Sequence, residues 1–342
     1  MPAQYLISLY YFFSPRKKSF QTLKGYLLND YSSGDIRFYF SGRVAIYKVA
    51  DYLIKTSRVA LLPDYICNVV YKAFEAAGFE IVTYATSDVY EPDWGEVSRL
   101  GQENTGAVLL LASIYGSEFG RNWILSQNGY HWREENKISV VFDLCQDITQ
   151  INSLSSHEYI GSNYAIVGSF NDKSFPGVMG GVVVTDIPDE EYAAPSFLDC
   201  CRVLSLFVQK LLKLDRMRAI ARFFLVSVLS SKPKIKNIYD YSYCNYFPYD
   251  FQHSGATKLQ IAMAAAGVNF LEKYSDRKKE YLLLNRIKPL KTPYYLTAPF
   301  VMVQPDDPGI NKDKPPYAVN RNPFVSLKSE IKVKHFKGFD DI

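Results

Sequence analysis

The chain has 342 residues, 48% hydrophobic and 22% charged, enough for one large domain and a smaller one around a substantial core. A net charge of +4 is too small to point to nucleic acid, and no RNA- or DNA-binding module stands in the sequence. No apolar run reaches the roughly 18–20 residues of a membrane span.

Five cysteines, Cys67, Cys145, Cys200, Cys201 and Cys244, are odd in number and lack metal-ligand spacing. They read as thiols in a reducing cytoplasm. The apolar stretch 5–13 has no basic residue before it and no small-residue cleavage site after it, so it does not read as a signal peptide.

Residues 1–36 are poorly periodic, and their Arg16-Lys17-Lys18 cluster reads as solvated surface. A pattern then begins that repeats to about residue 186. Phe38-Tyr39-Phe40 runs into Ser41-Gly42-Arg43 and a helical stretch to residue 54. A strand over 58–62 ends at Pro63. A helix follows over 67–77, stopped at Gly78, and then a strand over 80–84. Further apolar strands cover 107–112, before Tyr115-Gly116, and 138–142, ending on Asp143. Tyr164-Ala165-Ile166-Val167 and Val182-Val183-Val184-Thr185 flank a loop with Lys173, a Pro-Gly pair and a Gly-Gly pair. Short continuous apolar strands alternating with helices predict a mostly parallel sheet covered on both faces. Ligands of such sheets bind beyond the carboxyl ends of the strands, where Ser41, Pro63, Tyr115, Asp143 and Ser169 fall.

Beyond the sheet, residues 199–229 read as one long helix or two, in which Leu206, Val208, Leu211, Leu212 and Leu214 alternate with Lys210, Lys213, Arg216 and Arg218. Residues 231–253 read as a connection. Ser254 is the expected N-cap of a helix over 256–274, and 294–303 is strand-like. From Gln304 the chain is polar and proline-dotted, the pattern of loop or tail. The expected division is 1–235 as a large α/β domain, with 1–36 an N-terminal segment, and 236–342 as a smaller α+β domain.

Several residue types suit one chemistry in combination. A carboxylate at the end of a buried strand, Asp143, needs a partner for its charge; a protonated ring nitrogen or a helix cap supplies one. Gln146 follows at i+3. Ser41-Gly42-Arg43 opens a helix, where backbone N–H groups and a hydroxyl can hold a phosphate dianion, and Ser169 can add a second hydroxyl. Lys173 would have to be neutral to attack an aldehyde.

This ordered set resembles the DegT-type aminotransferases, pyridoxal 5'-phosphate (PLP) enzymes that aminate nucleotide-linked keto-sugars. The resemblance covers about residues 36–300. Ser41-Gly42-Arg43-Val44-Ala45-Ile46 is similar to the family's Ser-Gly-Thr-x-Ala-Leu phosphate turn, and Leu62-Pro63-Asp64-Tyr65-Ile66-Cys67 to the Pro-x-x-Thr-aromatic loop beside the cofactor. Asp143-Leu144-Cys145-Gln146 matches Asp-x-x-Gln, Ser169-Phe170 matches Ser-Phe, and Lys173 stands near the Schiff-base lysine. Residues 256–267 with Arg277 and Tyr281 are similar to the Met-Ser-x-Leu-Gln-Ala-Ala helix and its continuation.

The chain also departs from that pattern. Ser169 to Lys173 is four residues where the family has five. Arg43 replaces a threonine, Cys67 an aromatic, and His253 and Gly255 an Asn and an Arg. Residues 304–342 do not resemble the family's longer C-terminal region.

The resemblance implies a PLP-transferase-like three-layer α/β/α fold with an abbreviated small domain, and a homodimer; the cysteine usage makes the expected location cytoplasmic. It implies Lys173 and Asp143 as catalytic groups, with Ser41, Gly42, Arg43, Cys67, Gln146 and Ser169 joining them around PLP. Glutamate or glutamine would be the donor and a keto-sugar nucleotide the acceptor, in polysaccharide or secondary-metabolite sugar biosynthesis. The alternative is a catalytically inactive PLP-fold protein that binds a carbohydrate or a partner. Dehydration, which in the family replaces the lysine by histidine, fits less well because Lys173 is present.

Overall fold

The computed structural model describes residues 3–28, 35–87, 90–114, 117, 119–160, 163–170, 177–187, 194–211, 255–271, 275–276, 279, 300–303 and 332–335. A seven-stranded sheet organises them, in the order β1-β7-β6-β5-β4-β2-β3. Its strands are β1 (Asp35–Tyr39), β2 (Val59–Pro63), β3 (Glu80–Tyr84), β4 (Val108–Ala112), β5 (Ser139–Leu144), β6 (Tyr164–Ser169) and β7 (Gly181–Thr185). The pairs β2–β3, β2–β4, β4–β5 and β5–β6 are parallel, whereas β7 is antiparallel to both β6 and β1. The reason lies in the connection. Parallel neighbours need a crossover of a dozen or more residues, usually a helix, whereas the link from Phe170 to Gly180 is shorter than that.

Helices cover both faces. After α1 (Ala3–Phe13) and α2 (Arg16–Leu27) come α3 (Gly42–Leu53), α4 (Asn68–Ala77), α5 (Trp94–Glu103), α6 (Arg121–Ile124), α7 (Gln127–Asn136), α8 (Ile151–Ser155), α9 (Phe197–Leu211) and α10 (Lys258–Val268). Strand alternation sorts the core into two layers. Leu109, Leu111, Val140, Phe142, Tyr164, Ile166 and Val184 pack with α2, α5, α8 and α10. Val108, Leu110, Val141, Ala165, Val167 and Val183 pack with α3 and α4. The expected three-layer α/β/α architecture with a mostly parallel sheet is therefore present. The central strands β4 and β7 are buried along their whole length, as sheets covered on both sides require.

Three expectations change. Residues 3–13 and 16–27 are helical, where the sequence showed little periodicity. In α1 the cause is plain: Leu6, Tyr10 and Phe13 remain exposed, so apolar residues occupy both faces and no stripe appears. Second, α10 is capped by Thr257, whose hydroxyl accepts from Gln260 N while the Gln260 side chain accepts from Thr257 N, a reciprocal capping box; Ser254 lies outside the described residues. Third, Lys332–His335 in the expected tail forms a strand (β9) antiparallel to Phe300–Val303 (β8). Four alternating residues in a polar tract carry too little signal to stand out. The expected connection 231–253 and the helix beyond Leu211 fall outside the described residues.

Candidate functional site

Alternation also decides which strand-end residues can meet. Asp143 shares its parity with Val141, and Ser169 with Val167, so both point to the face covered by α3. Their strands are neighbours in register, with Asp143 opposite Val167 and Leu144 opposite Gly168. Asp143 and Ser169 are each 8% exposed. One face of the sheet thus carries a carboxylate and a hydroxyl at adjacent carboxyl ends.

Helix α3 completes the arrangement. Ser41 is extended (φ −156°, ψ 162°) and caps the helix through its hydroxyl, which accepts from Val44 N over 3.3 Å. The helix N-terminus, the positive end of its dipole, abuts Ser169: a methyl group on Gly42 would stand 3.0 Å from Ser169 Cβ, 3.2 Å from its Oγ and 3.3 Å from Cys145 Sγ. Gly181 makes the approach possible from the other side, since a Cβ there would fall 2.5 Å from the Ser41 carbonyl oxygen. Arg43, next on the helix, is half-buried and makes no hydrogen bond or ion pair with a described residue.

The turn after β5 is built on carboxylates. Asp143 Oδ1 accepts from Cys145 N over 2.9 Å, and the Asp143 carbonyl accepts from Ser113 N over 3.0 Å. Gln146 lies half-buried on this turn. Asp147, fully buried, accepts from Thr149 N, Thr149 Oγ1 and Gln150 Nε2, and Gln150 Nε2 also donates to Ser113 Oγ. The Gln150 carboxamide therefore ties the ends of β4 and β5 together. Gln150 Oε1 and Ser117 Oγ are buried without a hydrogen-bond partner among the described residues.

A further support comes from α10. Gln260, 2% exposed, donates from Nε2 to the Phe40 carbonyl over 2.9 Å and to the Val178 carbonyl over 3.1 Å. One amide thereby fixes both the residue before Ser41 and the turn before Gly181. Cys67 is the exposed N-cap residue of α4, at the carboxyl end of β2. None of the four described cysteines, Cys67, Cys145, Cys200 and Cys201, is in a disulfide. Among the described residues no group of His, Cys, Asp and Glu could hold a metal ion, and no helix is long and apolar enough to cross a membrane.

Of the residues singled out in the sequence, Ser41, Gly42, Asp143 and Ser169 share one face and one end of the sheet, with Arg43 in the first turn of α3 and Gln146 on the turn after β5. Lys173, Tyr115 and Gly116 lie outside the described residues, as does His253. The Gly-Gly strand start belonged to the ordered set read from the sequence, but the contacts of Cys145 and of the Gln260 carboxamide were not anticipated as site features.

This architecture is the fold of the PLP-dependent transferases of fold type I. The histidinol-phosphate aminotransferase of Clostridium acetobutylicum superposes with a TM-score of 0.53 at 12% identity, over 100% of this chain and 92% of that one. NtdA of Bacillus subtilis, solved with bound pyridoxamine phosphate (PMP), gives 0.52 at 14% identity over 89% and 64%. DesI, solved in the presence of its TDP-sugar product, gives 0.52 at 12% over 84% and 63%. The chain spans less than two thirds of the length of several such proteins. Neither a protein-family model nor a curated relative matches the sequence.

Proposed function

We propose that the chain is a PLP-dependent aminotransferase acting on a keto-sugar. The observation that carries this reading is the packing of Gly42 on Ser169 beside Cys145, which brings the helix N-terminus, two buried hydroxyls and the strand-end carboxylate of Asp143 to one place. The donor set fits the group: hydroxyls, a helix N-terminus and a half-buried guanidinium for a phosphate dianion, and a buried carboxylate for a protonated ring nitrogen. Structures of the same fold carry PMP or a TDP-sugar product, which supports both the cofactor and the substrate class.

When bound, PLP supplies an electron sink for the carbanion formed at the donor amino acid's α-carbon. Ser41, Gly42, Arg43 and Ser169 would hold its phosphate. Asp143, whose Oδ1 is braced by the Cys145 amide, would keep a proton on the ring nitrogen. Gln146 and Cys67 would border the ring, as the family resemblance implies. Lys173 would be the residue to attach the group, and its amine would then hold and pass on the proton taken from the donor's α-carbon. Glutamate or glutamine as donor, a nucleotide-linked acceptor and a homodimeric assembly complete the proposal, carried by the family resemblance.

Absorption spectroscopy tests it. Full-length protein titrated with PLP is expected to develop a visible band that collapses on adding glutamate or glutamine. Failure to bind PLP would overturn the reading.

A further inference from the structure

We propose that α1 and the start of α2 form a docking surface for an anionic lipid bilayer. The inner face of α1 is fixed. Leu9 and Phe12 join Leu259 and Met263 of α10 in one apolar cluster, and Asn269 Nδ2 donates to the Tyr11 hydroxyl over 3.3 Å. That packing turns Leu6, Tyr10 and Phe13 outward at i, i+4 and i+7, with 54%, 56% and 79% of their surface exposed. Three large apolar side chains in line on a helix without a single charged residue form an uncovered stripe.

Charge identifies the occupant. Residues 3–28 contain Arg16, Lys17, Lys18 and Lys24 and no Asp or Glu, so this segment alone carries +4, as much as the formal net charge of the whole chain. All four basic residues are exposed. The Lys18 ammonium lies 4.6 Å from the centroid of the Tyr10 ring and donates to its hydroxyl, so cations and stripe are one continuous surface. Aromatic and aliphatic side chains that enter the acyl boundary, with lysines beside them for anionic headgroups, are what an interfacial helix presents to a membrane. A second copy fits poorly, because a two-fold contact through this face would set +4 against +4.

The experiment is cosedimentation of the full-length chain with vesicles of phosphatidylcholine alone or with about one third phosphatidylglycerol. Binding is expected to the anionic vesicles only, and to fall as salt is raised. Lys17→Gln should weaken it roughly fivefold and Phe13→Ser roughly tenfold, with unchanged circular dichroism since both side chains are exposed. Equal binding to both vesicles, no binding to either, or indifference to both substitutions would overturn the proposal. So would a preference for soluble polyglutamate over vesicles, which would assign the face to an acidic protein. A concentration-dependent dimer lost in Phe13→Ser would assign it to a second copy. None of these outcomes depends on whether PLP binds.

Discussion

Gly181 leaves no room for a side chain against Ser41: a Cβ would stand 2.5 Å from the Ser41 carbonyl oxygen and 2.7 Å from its carbonyl carbon. The first residue of β7 and the cap of α3 are thus packed backbone to backbone. This contact sets the helix N-terminus against the carboxyl end of β6. Gly181→Ala is expected to force the two apart and cost about 1–3 kcal/mol, read from the urea midpoint. PLP affinity should fall with it. Gly42→Ala meets softer neighbours at 3.0–3.3 Å and should cost less.

Asp143 is braced by the Cys145 amide and buried to 8% exposure. Asp143→Asn preserves the shape and removes the charge. Turnover should fall on the order of 10²-fold or more, with the unfolding midpoint nearly unchanged. An active Asn variant would remove Asp143 from the ring-nitrogen role.

Gln260 holds two segments of the site from beneath, and truncation would leave the Val178 carbonyl without this donor and cut half of the α10 capping box. Gln260→Ala should destabilise the chain by about 2–3 kcal/mol. A weakened cofactor site is expected in the variant even where it stays folded, as measured by PLP titration below the unfolding temperature.

Tyr84 is fully buried and donates to the Leu110 carbonyl over 2.8 Å. Burial, with smaller contributions from Asp64 and Glu91, pushes its phenol well above the ordinary range. Its proton is therefore held more tightly in the folded chain than in the unfolded one. The associated stability is complete below about pH 10 and is lost as pH rises from there through the folded value. Tyr84→Phe should flatten that alkaline loss while costing about 1 kcal/mol at neutral pH, both readable by urea unfolding across pH.

The strands and their order of chemistry were legible because buried parallel strands are continuous apolar runs, and because Ser41, Asp143 and Ser169 sit at their ends. The antiparallel turn of β7 follows from the short link after Ser169. What the sequence concealed is long-range. Cys145 Sγ stands where a Cβ on Gly42 would meet it at 3.3 Å, and Gln260 reaches Phe40 across 220 residues. Helix α1 was hidden for the opposite reason, since its exposed Leu6, Tyr10 and Phe13 erased the amphipathic stripe that would have announced it. The one-residue-short spacing from Ser169 to Lys173 concerns a lysine outside the described residues, so chemistry must locate it.

That location is directly measurable. Full-length protein is incubated with PLP, reduced with borohydride, digested and mapped by mass spectrometry. A single pyridoxyl group on Lys173, absent from Lys173→Ala, is the expected result. No label, or a label distributed over other lysines, would contradict PLP catalysis at this site.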